Sequence, residues 1–179
     1  MQTKTAAMIA TVRLAIEEDV PLLPAIERSA GQVFRAIPSL AWIADDTVQT
    51  TEEHLQFVRF GTSWVAVDIC DRPLGFLNGQ VLGREFHICQ AAVDRAHQGR
   101  GYGRALIKAA IDWAKAQELA AITLTTFRDV PWNEPFYTSL GFETLEQVQL
   151  CTRLLETLRK EVEHGLPEEQ RCAMRLRLT

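Results

Sequence analysis

Apolar positions along the chain recur with two different periods, and the switches between them outline its elements. Thr11–Ile16 alternates enough to predict a first strand. From Asp19 to Arg35 the apolar residues Leu22, Leu23, Ile26, Ala30 and Phe34 share one helical face, with Pro21 near the start and Pro38 forcing a break. Thr50-Thr51-Glu52-Glu53 supplies an N-cap candidate and early acids for a second helix, which runs to about Arg59 and stops at Gly61. Three strands should follow: Trp64–Cys70, Leu74–Val81 and Glu85–Val93, separated by turns at Asp71-Arg72-Pro73 and Gly83-Arg84.

Gly101–Glu118 returns to the helical period, with Tyr102, Leu106, Ala110, Trp113 and Ala114 on one side. Ala120–Phe127 is a near-continuous apolar and β-branched run, as expected of a strand covered on both faces. A short helix over Pro135–Leu140 ends at Gly141, and Phe142–Cys151 should be another strand. A helix over Arg153–His164 closes at Gly165. Cys172, Met174, Leu176 and Leu178 then alternate with polar positions in a last, half-wet strand. Helices first, a meander of strands, then strand-helix-strand-helix-strand describe an α/β domain with a mixed sheet.

Composition adds limits. The 179 residues suit one domain, 1–179, with residues 1–10 as a loose leader. Apolar residues make up 47% and charged residues 23%, ordinary globular proportions. A net charge of −4 leaves no basic footprint for nucleic acid. No stretch approaches the roughly 18 apolar residues of a membrane span, and the run from Ala6 to Val12 is a weak signal peptide, so a cytoplasmic location is expected. Cys70, Cys89, Cys151 and Cys172 lack CxxC spacing and read as buried thiols in a reducing compartment. Neither they nor the four histidines form a zinc pattern, so no metal is expected.

The most informative segment runs from Val93 to Leu106. A strand ends, a short polar loop follows, and Gly99, Gly101 and Gly103 lead into a helix. Glycine admits close backbone approach and positive φ, and the amides of a helix start favour an anion. The loop is suited to phosphate. A Walker loop would need Gly-Lys-Ser/Thr, and a dinucleotide fingerprint would need glycine where Leu106 stands. A glycine-rich turn without a ligand remains open on the glycines alone.

Gln98-x-x-Gly101-x-Gly103 resembles the Q/R-x-x-G-x-G/A motif of the GNAT superfamily of N-acetyltransferases. Asn133-x-x-Phe136-Tyr137-x-x-x-Gly141-Phe142 resembles a second element of that family. The resemblance implies a mixed, mostly antiparallel sheet of about seven strands, splayed between strands four and five and flanked by helices. It implies direct transfer of an acetyl group from acetyl-CoA to a primary amine on a small molecule or peptide. An acyl-CoA-binding regulatory module with little turnover is the alternative. Loop amides from Gln98 to Gly103, including those of Gly99, Arg100 and Tyr102, would bind the pyrophosphate. Val93 would pair with the pantetheine arm, with Ala92 beside it. Arg100 and Arg104 would screen phosphate charge or sit as solvated surface groups. Asn133 would contact the coenzyme, with Phe136 in the same set, although core packing suits Phe136, Leu140 and Phe142 equally. No nucleic-acid or membrane partner is implied; a homodimer is allowed.

Tyr137 would protonate the leaving sulfur. The base is less plain. Many relatives carry a glutamate three residues before the position of Val93, where this chain has Gln90, which takes no proton. By resemblance to the histone acetyltransferase branch, His87 is the candidate base, and histidine has a suitable intrinsic pKa. A structural role for His87 is the competing reading, with Glu85, Asp68 or ordered water as substitutes. The acceptor site should involve Phe34–Asp46, where Trp42, Asp45 and Asp46 stand out, and Phe127–Trp132. Asp45-Asp46 could also be a solvated turn.

Overall fold

A computed structural model describes residues 10–178; the expected leader lies almost wholly outside them. The strands are β1 (Thr11–Leu14), β2 (Ser63–Val67), β3 (Pro73–Leu82), β4 (Glu85–Val93), β5 (Ala121–Phe127), β6 (Glu143–Thr144) and β7 (Arg171–Arg177). The α-helices are α1 (Leu23–Gly31), α2 (Thr51–Arg59), α3 (Tyr102–Ala116), α4 (Glu134–Thr138) and α5 (Thr152–Glu163). Seven strands form one sheet in the order β1-β2-β3-β4-β5-β7-β6. Pairings β1–β2, β2–β3, β5–β7 and β6–β7 are antiparallel, and β4–β5 is parallel. The parallel ladder covers only Glu85–His87 against Ala121–Thr123, although both strands continue. The expected mixed sheet is present.

The described chain divides into two compact units. One comprises the residues up to Gly79 with Gln90–Ala110; the other comprises Gln80–Cys89 with the residues from Ile111 on. In the first, Leu23 and Ile26 of α1 pack with Val65, Val67, Phe76 and Ala92. In the second, Leu154 of α5 packs with Leu145 and Ala173. α2 begins as its sequence predicts: Glu53 N donates to Thr50 Oγ1 at 3.2 Å, and Thr50 N donates to Glu53 Oε2 at 2.7 Å.

Three boundaries differ from expectation. The helix over Asp19–Arg35 is α-helical only across Leu23–Gly31, with 3-10 turns at Glu17–Leu22 and Gln32–Ala36. Pro21 has no amide to donate, and the first turn tightens around it. The strand ending at Cys70 stops at Val67, because Asp68 Oδ1 accepts from Cys70 N and Arg72 N and closes a turn. The strand over Phe142–Cys151 shrinks to two residues, since Leu145 and Leu150 turn toward the core under α5. The cysteines are free, but Cys70, Cys89 and Cys151 are exposed and only Cys172 is buried, which corrects the expectation of buried thiols.

Candidate active site

The glycine loop belongs to the first unit. β4 ends at Val93, and Asp94 opens a 3-10 turn over Arg95–His97 by accepting from Ala96 N at 3.0 Å. His97 Nδ1 lies 3.1 Å from the same carboxylate oxygen. The Gln98 side chain folds back and donates to the Val93 carbonyl at 3.0 Å, tying the loop to the strand end. Gly99 and Gly101 then take φ values of 74° and 89°, which L side chains rarely adopt. A Cβ at either position would meet nothing within 4 Å, so the space beside the backbone is open.

α3 starts at Tyr102, and the Gly101 carbonyl accepts from Ala105 N at 3.0 Å. The first amides of a helix have no acceptor within it, so those of Tyr102, Gly103 and Arg104 point out of the helix end. The Tyr102 side chain is buried, edge-on to His97 at 6.4 Å, and leaves its amide as the group it can offer. Arg100 and Arg104 are exposed. Gly75 on β3 has a role of a different kind: a Cβ there would stand 2.9 Å from the Ala92 carbonyl oxygen and 3.3 Å from Val93 Cα. Only glycine lets β3 pass this close to the strand carrying Ala92 and Val93.

Also in the first unit, a polar cluster surrounds Glu27 of α1. Gln90 Nε2 donates to Glu27 Oε1 at 2.8 Å, and Gln49 N donates to Glu27 Oε2 at 3.0 Å. His54 Nε2 lies 4.0 Å from Oε2, and the Glu27 side chain is only 12% exposed. Burial raises the Glu27 carboxyl above the usual carboxylate range, against the lowering effect of the Gln49 and Gln90 hydrogen bonds. His54 is fully buried and edge-on to Phe76, and burial pushes its pKa down to about 4. Asn78 Nδ2 donates to Gln49 Oε1 at 2.7 Å and lies 3.4 Å from His54 Nδ1.

The second unit holds His87, Asn133, Phe136 and Tyr137. His87 Nδ1 lies 3.0 Å from Thr123 Oγ1; burial, with Arg153 nearby, lowers its pKa to about 4. Arg153 bonds Glu85 at 2.7 Å and Thr123 at 3.3 Å, and Arg175 approaches Glu85 at 3.4 Å. Tyr137 of α4 sits edge-on between Phe136 at 5.1 Å and Phe142 at 5.7 Å. Burial pushes its phenol up to about 12, so at neutral pH the hydroxyl carries its proton. Asn133 Nδ2 donates to Thr126 Oγ1 at 2.9 Å, while its Oδ1 is buried without a hydrogen-bond partner. Of the three residues assigned to core packing, Phe142 is buried; Phe136 and Leu140 are only partly so.

The acids expected at an acceptor site are ordinary. Asp45 pairs with Arg35 at 2.6 Å, and Asp46 Oδ1 accepts from Thr47 N, a surface turn. Sequence reasoning did not find the Glu27 cluster or the arginine pair on Glu85. One signal existed for the first: Glu27 lies four residues after Leu23 and three before Ala30, so it places an acid in the apolar stripe of α1. Among the described residues no group of three or more His, Cys, Asp or Glu could hold a metal ion. No helix among them is long and apolar enough to cross a membrane.

The model of the acetyltransferase (GNAT) family matches residues 32–142, and the chain belongs to that family. Solved structures share the fold. Rv2747 from Mycobacterium tuberculosis, crystallised with CoA, is 20% identical with a TM-score of 0.69, over 94% of this chain and 99% of that one. PaiA N-acetyltransferase from Thermoplasma acidophilum, in complex with coenzyme A, is 14% identical with a TM-score of 0.68, over 95% and 99%. Ribosomal-protein-alanine N-acetyltransferase from Brucella melitensis is 20% identical with a TM-score of 0.67, over 94% and 99%. The chemistry of the family is acyl transfer.

Proposed function

We propose that this protein transfers an acetyl group from acetyl-CoA to a primary amine on a small molecule or peptide. The observation that carries the reading is the loop after β4. Two glycines at positive φ, with open space beside them, lead into the amides of a helix start. Amides from Gln98 to Gly103 bind the pyrophosphate, with Arg100 and Arg104 screening its charge. Val93, next to Ala92, pairs with the pantetheine arm. The orphaned Oδ1 of Asn133 is an acceptor in want of a donor, which suits an amide or hydroxyl of the coenzyme, with Phe136 adjoining.

The amine must be neutral to attack, and a lysine-like amine has a pKa of about 10.4 in water. Its nitrogen adds to the thioester carbonyl carbon, the C–S bond breaks, and the thiolate takes a proton. Tyr137 supplies that proton; a phenol held protonated is suited to the step. His87, the base the sequence points to, is one candidate for deprotonating the amine. The alternative reading, a regulatory module that holds acyl-CoA without turnover, is favoured by Gln90 standing where an acid is common.

Two measurements test the reading. Acetyl-CoA should raise Tm where ATP and NAD do not; a ligand at a hundredfold excess over Kd adds about 2.7 kcal/mol. Thiol release with an amine panel should then exceed the amine-free rate. A Tm shift without turnover would support the regulatory module, and no shift at millimolar acetyl-CoA would sink both.

A further inference from the structure

We propose that Glu27 is the general base of the transfer, with Gln90 as the positioning residue that holds its Oε1. The inference deepens the acetyl-transfer reading above and rests on it. Gln90 occupies the β4 position three residues before Val93, and it brings no proton acceptor of its own. What it does instead is reach across 63 residues of sequence and donate to a carboxylate on α1. Gln90 Oε1 is fixed in turn by Ala91 N at 3.0 Å, which settles which end of the amide faces Glu27.

The surroundings of that carboxylate differ from those of a structural ion pair. Among the described residues no guanidinium or ammonium bonds it. Its hydrogen-bond donors are a side-chain amide and a backbone amide, both neutral. His54 is neutral as well, and its tautomer follows from its neighbour. Asn78 Nδ2 can only donate, so His54 Nδ1 accepts and the ring proton sits on Nε2, facing Glu27 Oε2 at 4.0 Å. That nitrogen is buried and has no hydrogen-bond partner. Glu27 is thus an acid inside an apolar helix face, with weak neutral donors and a residual 12% of exposure. Burial makes such a group hold a proton more readily than a free carboxylate does, which suits it to accept one from an amine.

The charges bearing on Glu27 are Glu53 of α2, which favours its protonated form, and Arg28 of α1, which opposes it. Glu18, Glu52 and Arg95 are the remaining charges on the elements packed against α1, besides several that are paired. Arg13 and Asp19 pair, as do Arg59 and Glu17, Arg35 and Asp45, and Asp94 with His97. His87, by contrast, is buried against Thr123 with Arg153 beside it, a cation that opposes proton uptake.

In the step proposed, the ammonium of the acceptor gives one proton to a Glu27 carboxylate oxygen. The freed lone pair forms the C–N bond and the C–S bond breaks; Tyr137 protonates the thiolate, and the second proton lost by the nitrogen restores the phenol through water. Glu27 then returns its proton to water.

The test uses the full chain, acetyl-CoA and four amines: lysine, putrescine, an alanyl peptide and an aminoglycoside. The kcat and kcat/KM of the best acceptor are followed from pH 5 to 9 in wild type, Glu27→Gln, Gln90→Glu and the double exchange. Glu27→Gln should lose about a hundredfold in kcat, within the usual range for general acid–base catalysis, and should lose the acidic limb of its pH profile. Its Tm and acetyl-CoA affinity should stay near wild type. The double exchange, which puts the carboxylate on β4, should recover at least tenfold over Glu27→Gln. A Glu27→Gln enzyme with wild-type kcat, or with only a raised KM, overturns the base assignment while leaving acetyl transfer intact. A wild-type chain that turns over none of the four amines overturns the transfer reading and the assignment with it.

Discussion

Glu27 and Glu85 are both partly buried glutamates, one in each compact unit, and they are held in opposite ways. Glu27 is surrounded by neutral amides and a neutral histidine, and its carboxyl is raised by burial. Glu85 has Arg153 at 2.7 Å and Arg175 at 3.4 Å. A carboxylate clamped by guanidiniums joins strand to helix. One held by weak neutral donors contributes less to stability and more to chemistry. Burial alone therefore does not say what an acid is for; the charge of its partners does.

The two buried histidines sharpen the contrast first, and with the largest effect. His54 faces an acid and His87 a guanidinium, yet burial takes both to about 4 from an ordinary 6.5. The unfolded chain therefore binds more protons than the native one between these values. Stability is full above about pH 6.5, falls as the pH drops toward 4, and is level below that. Each histidine contributes up to about 3 kcal/mol of this loss. Denaturant midpoints from pH 7.5 to 4 should show it, and His87→Asn should remove part of it. A flat profile would mean that neither ring is shielded from water.

A second test separates chemistry from binding. Tyr137→Phe removes one hydroxyl, and its ring contacts with Phe136 and Phe142 survive. We expect kcat and kcat/KM to fall together by about a hundredfold, with Tm and acetyl-CoA affinity unchanged. Wild-type kcat with a raised KM would show that the hydroxyl binds but does not act. Gly101→Val, in the first unit, should do the reverse. It forces a β-branched residue to φ near 89° and fills the open space beside the loop. A loss of about tenfold or more in CoA affinity is expected by calorimetry, exceeding that of Tyr137→Phe.

The smallest effect tests the glutamates directly. Glu85→Gln should cost about 1 kcal/mol, because Arg153 and Arg175 lose their shared carboxylate at a site that is about a quarter exposed. Glu27→Gln should cost less at pH 8. Its raised pKa means that the native carboxylate costs stability once the pH rises past its folded value. Equal losses in urea denaturation would erase the distinction between the two acids.

Much of the fold is legible in the sequence because apolar period and glycine placement agree. Strands β3, β4 and β5 and helix α3 are examples. The glycine loop is legible for the same reason: Gly99 and Gly101 are demanded by backbone angle, which is a local property. The short β6 was not, because Leu145 and Leu150 serve a core under α5 that no local pattern announces. The Glu27 cluster was not, because it exists only once α1 lies against β4. Nothing in the spacing of Glu27 and Gln90 foretells a 2.8 Å hydrogen bond.

The exposed sulfurs of Cys70, Cys89 and Cys151 have a practical consequence. Released CoA is commonly trapped by disulfide exchange, and accessible protein thiols enter the same exchange. A turnover trace from this chain therefore begins with a burst that owes nothing to acetyl transfer, fed first by Cys70 and Cys151 and more slowly by Cys89, whose thiol burial pushes up to about 11. Only the slope after that burst reports the enzyme, and replacing the three cysteines with serine would make the trace read turnover from the first second.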